Sequence, residues 1–305
     1  MSTAAAKNAS PRTRIRQSAG ETIFDYLNVT LLILISLTAM LPILHVVAGA
    51  FSQTEALVKH QVWVWPVGFT LENIRYVAET PAFWSAGWMT VKVVVIGTAV
   101  NMVLTILSSY PLSKSYLRGR RVILLGIIFT IIFQAPLIPM YLVVKSFGLL
   151  NTMWAIIIPG AISAFNMMLC ITFFRSVPED LFDAARVDGM SEYAIVWRIV
   201  VPLSKPIIVT LLLFYAVGHW NNYMGPLLYI NDRSMQTLQL YIYFLIAKGN
   251  SNDIAGAAAA ESAIKLLPEA LEMATIVLAT APIVLLYPFL QKHFIKGATL
   301  GSVKE

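Results

Sequence analysis

Charge is scarce in this sequence. Asp, Glu, Lys and Arg make up 12% of its 305 residues, about half the share usual in a soluble domain. So few charged groups cannot cover a water-facing globule of this size. Cysteine is almost absent. The one present, Cys170, has no partner for an intramolecular disulfide and offers no metal-ligand set, and its place in an apolar block suits a buried helix residue. No Gly-Lys dipeptide occurs, so the G-x4-G-K-[ST] phosphate loop is missing and the chain cannot hold ATP by that motif. Four scattered histidines (His45, His60, His219, His293) form no H-E-x-x-H pair, and there is no G-x-S-x-G elbow, which leaves no signature of an enzyme.

What is abundant is apolar sequence in long blocks: 58% of residues are hydrophobic and the mean hydropathy is +0.72. Crossing about 30 Å of hydrocarbon takes about 20 helical residues. Blocks of that length lie near 29–50, 88–110, 122–144, 153–174, 207–230 and 272–290. They predict an all-α membrane protein with six transmembrane helices. The first block follows a basic start and ends in Ala48-Gly49-Ala50, which resembles a cleavage site, yet it is too long for a secretory signal and reads as an uncleaved span.

Basic residues set the expected orientation. With the N-terminus inside, cytoplasmic segments hold 15 of the 22 lysines and arginines, and the loop from Lys114 to Arg121 carries four of them with no acid. Both termini are therefore predicted to be cytoplasmic: an N-terminal segment over 1–28, a transmembrane domain over 29–290 and a tail over 291–305. The formal charge of +6 is spread between apolar blocks, with no basic stripe interleaved with aromatics, so nucleic acid is not an expected partner. Outside, residues 51–82 carry Trp63 and Trp65 for the interface, and Leu238–Ile246 is too short to span and reads as an interfacial or re-entrant helix.

The loop over 176–206, between the fourth and fifth spans, is more than a connector. Ser176 and Glu179 have capping-box spacing, Pro178 falls in a first turn, and Glu179, Asp180 and Asp183 place negative charge at a helix start. Gly189 suits a left-handed stop and Ser191 a second cap, while Pro202 and Pro206 bend the chain into the fifth span. Two short helices are predicted there. Small residues at the centre, Ala184 and Ala185, would let another surface come close; an amphipathic loop lying on the membrane fits the same residues.

The order Asp183-Ala184-Ala185, three residues, Gly189, nine residues, Ile199-x-Val201-Pro202 resembles the EAA loop of ABC-importer permeases, E-A-A-x3-G-x9-I-x-L-P. Asp replaces the leading Glu and keeps its charge; Val201 replaces Leu. Gly218-His219-Trp220-Asn221-Asn222-Tyr223, Thr237-Leu238-Gln239-Leu240-Tyr241 and Tyr287-Pro288-Phe289-Leu290-Gln291-Lys292, running to Gly301-Ser302-Val303-Lys304, are similar to the carbohydrate-uptake permeases of the maltose-transporter type, within the group named for the LplC and YtcP proteins. The resemblance covers nearly the whole chain. It implies a type I ABC-importer permease in a bacterial cell membrane, paired with a second, homologous permease as a heterodimer. It further implies two cytoplasmic ATPase subunits that bind the ATP and magnesium, leaving no cofactor here, and an extracytoplasmic binding protein that delivers a carbohydrate. Asp183, Ala184, Ala185, Arg186, Asp188 and Gly189 would then form a coupling helix docked on an ATPase. Residues 248–262 would insert into the binding protein, and the tail from Gly297 would reach the ATPase interface.

Sugars are held by aromatic faces and by amides or hydroxyls. His219, Trp220, Asn221, Asn222 and Tyr223, with Asn166 in the fourth span, supply such groups as candidate substrate contacts; interhelical polar glue explains the same residues, His219 above all. Two further readings stay open. A permease for a non-sugar solute shares every feature except the span-five motif. A secondary transporter would need a carboxylate in mid-membrane, and Glu272 lies only at a span's edge.

Overall fold

The computed structural model describes residues 19–249 and 268–298, with side chains over 20–247 and 268–285. The Gly301–Lys304 motif, most of the stretch 248–262 and the end of the C-terminal tail lie outside the described residues.

Helix α1 (Ala19–Ala50) is apolar on every side and exposed from Gly20 to Leu44. A helix of that kind has lipid, not water, as its natural surroundings. Its last turn joins the core, where Ala48 and Ala50 meet α2 (Thr54–Val58), α3 (Glu72–Glu79), the start of α4 (Pro81–Ser113) and the far C-terminal helix. Helix α4 is the central post. It runs for 33 residues, about 50 Å at 1.5 Å per residue, and so reaches further than the block at 88–110. Pro81 opens it at N1, where the missing N–H costs nothing.

Three further candidate crossings are broken. Helices α5 (Arg120–Ile132) and α6 (Leu137–Ser146) meet at 116°. Pro136 lacks a donor and pushes Ala135 out of the helical region, so the third block is not one straight span. Helix α7 (Met153–Ile157), extended by a 3-10 turn to Gly160, meets α8 (Ala164–Arg175) at 52°, with Pro159 and Gly160 at the break. Then come α9 (Glu179–Val187), α10 (Glu192–Ile195), a π turn over 196–200 and α11 (Val201–Leu203). The chain bends by 89° at Ser204, between the two predicted prolines, into α12 (Lys205–Asn221). After α13 (Met224–Tyr229), α14 (Leu238–Gly249) tucks Leu238 and Leu240 inside, and α15 (Pro268–Ala298) closes the fold.

Three helices are long and apolar enough to cross a membrane, and six crossings result if each bent pair is one span. All regular structure among the described residues is helical. Two main cores form at opposite ends of α4. One gathers Phe83 and Ala86 with α1, α3, α14 and α15; the other gathers Met102, Ile106 and Tyr110 with α8, α12 and the helices α9–α10.

Candidate functional site

Helix α9 begins and ends as its sequence dictates, with one exception. Ser176 does not cap it: its hydroxyl donates to the Phe173 carbonyl, Pro178 occupies the cap position, and Glu179 turns away to another partner, so the predicted capping box is not made. The stop is a Schellman turn. Gly189 has φ +75°, its N–H donates to the Arg186 carbonyl, and the Met190 N–H donates to the Ala185 carbonyl, both at 3.0 Å. Ser191 caps α10 by accepting from the Ala194 N–H.

This pair of helices is fastened to α4 by side chains. Lys114, at the end of α4, is 3% exposed; its ammonium donates to both oxygens of Glu179 at 3.0 and 3.1 Å and lies 3.1 Å from the centre of the Phe182 ring. Burial lowers the proton affinity of Lys114, and Glu179 partly restores it. A second tie runs through Glu192, which accepts from the Tyr110 hydroxyl at 2.6 Å and from Arg186 at 3.0 Å. Those two donors hold its carboxyl below the ordinary value. Arg186 also donates to Asp183 at 3.0 Å and to the Tyr116 hydroxyl at 2.9 Å. Beneath them Phe182, Ala185, Ile195, Val196 and Val200 fill the core against Tyr110, Phe174 and Leu211. Each large apolar side chain buried there contributes about 1.5–3 kcal/mol, so the helix pair is packed onto α4, α8 and α12.

The motif residues divide between two faces. Asp183, Ala184, Asp188 and Gly189 lie on the outer surface, whereas Ala185 is 4% exposed and faces the chain's own core. Of the two alanines, only Ala184 is presented outward. A side chain at Gly189 would meet nothing within 4 Å.

At the end of α12 the candidate substrate contacts point in different directions. Successive helical residues point about 100° apart, and the side chains separate accordingly. His219 turns inward to Asn101 on α4 at 3.4 Å, pressed against Gly97; Trp220 packs on the core shared by α1 and α15. Asn222 accepts from the Gly225 N–H, Tyr223 stacks on Tyr243 with centroids 5.9 Å apart, and Asn221 is exposed. Asn166 is buried in the first turn of α8. His219 thus belongs to a polar seam between crossings. Asn101 donates to the Gly160 carbonyl at 3.0 Å, and the Tyr215 hydroxyl accepts from the Ser163 N–H while bonding Thr105 at 2.7 Å. Backbone groups freed at the α7–α8 break are therefore satisfied by α4 and α12, as backbone inside a membrane protein requires. A methyl at Gly97 would sit 2.6 Å from His219 Nε2. Gly97→Ala is expected to cost about 1–3 kcal/mol by overpacking, read as a lower melting temperature of the purified protein; an unchanged melting temperature would refute this.

Two features escaped the sequence. Lys114 counted there only as an orientation charge. The other is a cavity of about 660 Å³ at the Ala82–Ala86 end of α4, the length of that helix away from Lys114, lined among others by Ser85, Asn231, Arg233, Gln236 and Tyr241. Arg233 was visible only as one basic residue in an outer loop.

The family model for the inner membrane component of binding-protein-dependent transport systems matches residues 84–299. The chain belongs to that family. This permease is 41% identical to protein LplC of Bacillus subtilis over 287 residues, 92% of this chain and 95% of the relative. It is equally 41% identical to the polygalacturonan/rhamnogalacturonan transport permease YtcP of the same organism, over 92% of this chain and 98% of the relative. Among solved structures, a bacterial ABC transporter that imports the acidic polysaccharide alginate has a chain that superposes with a TM-score of 0.85 at 30% identity, covering 91% of this chain and 99% of that one. The permease is accordingly a multi-pass inner-membrane subunit of a sugar ABC transporter, a family that works with an ATPase and a solute-binding protein.

Proposed function

We propose that this permease forms half of a heterodimeric pathway that imports an oligosaccharide, and that ATP drives it through the loop over 176–206. The observation that carries the reading is the fastening of α9 to α4 by Lys114–Glu179 and Tyr110–Glu192. With both termini in the cytoplasm, this helix pair faces the ATPase subunits, which bind the ATP and magnesium. Asp183, Ala184, Asp188 and Gly189 meet the ATPase, while Ala185 and Arg186 hold the helix to its own bundle. Closure of the ATPases then pulls α9, and through Lys114 the whole length of α4, as a rigid body. Its far end carries the cavity beside Ser85, so a pull at one membrane face reshapes a sugar-sized space at the other.

The cargo we infer is an acidic oligosaccharide. Among the described residues Arg233 is the only charged one lining that cavity, and it is joined there by Tyr241, Asn231 and Gln236, an aromatic face and two amides beside a cation for a uronate carboxylate. Two of the similar proteins carry uronate polymers by name, the polygalacturonan/rhamnogalacturonan permease and the alginate transporter. The other candidates, His219, Trp220, Asn221, Asn222, Tyr223 and Asn166, do not line that cavity.

The test is ATPase stimulation in the reconstituted complex, using its binding protein loaded from a panel of neutral and uronate oligosaccharides. Uronate oligomers should stimulate, and Arg233→Gln should lower their transport about tenfold, equivalent to about 1.4 kcal/mol. Stimulation by neutral sugars alone sinks the acidic cargo; stimulation by no carbohydrate sinks the sugar reading itself.

A further inference from the structure

A crevice of about 550 Å³ lies where the start of α5 meets the end of α8, at the same end of the bundle as the coupling loop. Arg120, Arg121 and Arg175 stand at it, and Leu124, Leu125 and Ile128 line it. Residues 121, 124, 125 and 128 have the i, i+3, i+4, i+7 spacing, so they form one stripe of α5 that begins with a cation and continues as hydrocarbon. That stripe is open: Arg121, Leu125 and Ile128 are exposed.

Its charges are left over. Lys114 and Arg186 nearby are paired with Glu179, Asp183 and Glu192. Among the described residues no acid pairs with Arg120, Arg121 or Arg175. Arg120 spends its Nε–H on the Leu112 carbonyl, which fixes the guanidinium in place with its terminal nitrogens free of an ion pair. Burial and the positive charge of Arg120 both work against the charge on Arg175, so the two cations sit close without an anion between them. The amino end of α5 adds a partial positive charge. An anion is what this arrangement lacks, and the stripe below it accommodates an alkyl chain.

We propose that this crevice binds the headgroup phosphate of an anionic phospholipid from the adjoining leaflet, held by Arg120, Arg121 and Arg175, with an acyl chain laid along Leu124, Leu125 and Ile128. Room for a glycerophosphate group and its first methylenes fits the volume. Basic pockets between transmembrane helices suit such headgroups on electrostatic grounds. The site stands apart from the sugar path and from the identity of the cargo. It also ties α5, through Arg121, to α8, through Arg175, the last residue before the coupling loop.

The experiment uses the assembled transporter with its partner subunits in phosphatidylcholine nanodiscs containing a small fraction of photoreactive phosphatidylglycerol. Cross-links are expected on peptides covering 115–128 and 172–176, competed by unlabelled phosphatidylglycerol but not by phosphatidylcholine, inorganic phosphate or glycerol phosphate. Arg121→Gln with Arg175→Gln should raise the half-saturating lipid fraction about twenty-fivefold, at about fivefold for each arginine removed. The corresponding lysine pair should recover most of that loss, and Arg118→Gln, outside the crevice, should leave binding unchanged. Equal competition by phosphatidylcholine in the unaltered protein would overturn the proposal whether or not the variants assemble. So would competition by free phosphate, an equal loss in Arg118→Gln, or the absence of cross-links at these peptides because a partner subunit covers them.

Discussion

Gly189→Asn is expected to leave the permease folded and assembled in the membrane, yet to reduce transport at least tenfold, equivalent to about 1.4 kcal/mol at the coupling step. The residue ends α9 at φ +75° in a Schellman turn. Asn tolerates that left-handed conformation better than any other residue with a side chain of its size. Apart from its chain neighbours, nothing described lies within 4 Å of a Cβ added there, so the side chain starts into open space. Steric harm must come from a partner surface that approaches the turn. Gly189→Val separates the two causes. Its strain of about 1–2 kcal/mol from the left-handed backbone should appear as faster amide exchange over 185–191, which Asn should hardly change. If Gly189→Asn transports normally while Gly189→Val fails, the glycine serves only the turn, and close docking of an ATPase at this point is wrong.

Lys114→Met is expected to uncouple ATP hydrolysis from transport by loosening α9 from α4. Met nearly fills the volume of the lysine but carries no charge. It loses the bonds to Glu179 and the seat on the Phe182 face 3.1 Å away. A desolvated cation–π contact is worth about 2 kcal/mol, while the stranded Glu179 is half exposed and finds water. The loss is therefore local. Amide exchange over 179–190 should accelerate about thirtyfold, with the bundle's melting temperature little changed. Binding-protein-stimulated hydrolysis should persist while uptake falls. The swap Lys114→Glu with Glu179→Lys should not rescue, because it sets a carboxylate over the negative face of an aromatic ring. Unchanged exchange in Lys114→Met, or rescue by the swap, contradicts the clamp.

How far the sequence could be read depended on whether the signal was local. The turn at Gly189 and the cap at Ser191 follow from residue type and spacing, and both formed. The capping box was as local a prediction, yet it did not form, because Glu179 had a stronger partner 65 residues away in Lys114. Polar residues at the end of α12 read equally as substrate contacts or as interhelical glue. Helical geometry sent His219 to Asn101 and Trp220 to another core.

By itself the sequence determined the membrane habitat, the helical class and the loop between the fourth and fifth blocks as the feature unlike its neighbours. Those properties follow from block length, charge content and short-range spacing, which need no partner across the chain. Only the tertiary structure decided which crossings are broken, which face of α9 is free, where the cavity beside Arg233 lies, and that three arginines share one crevice without an acid. Each depends on contacts between segments far apart in sequence, where packing and pairing choose among options that local chemistry leaves equal.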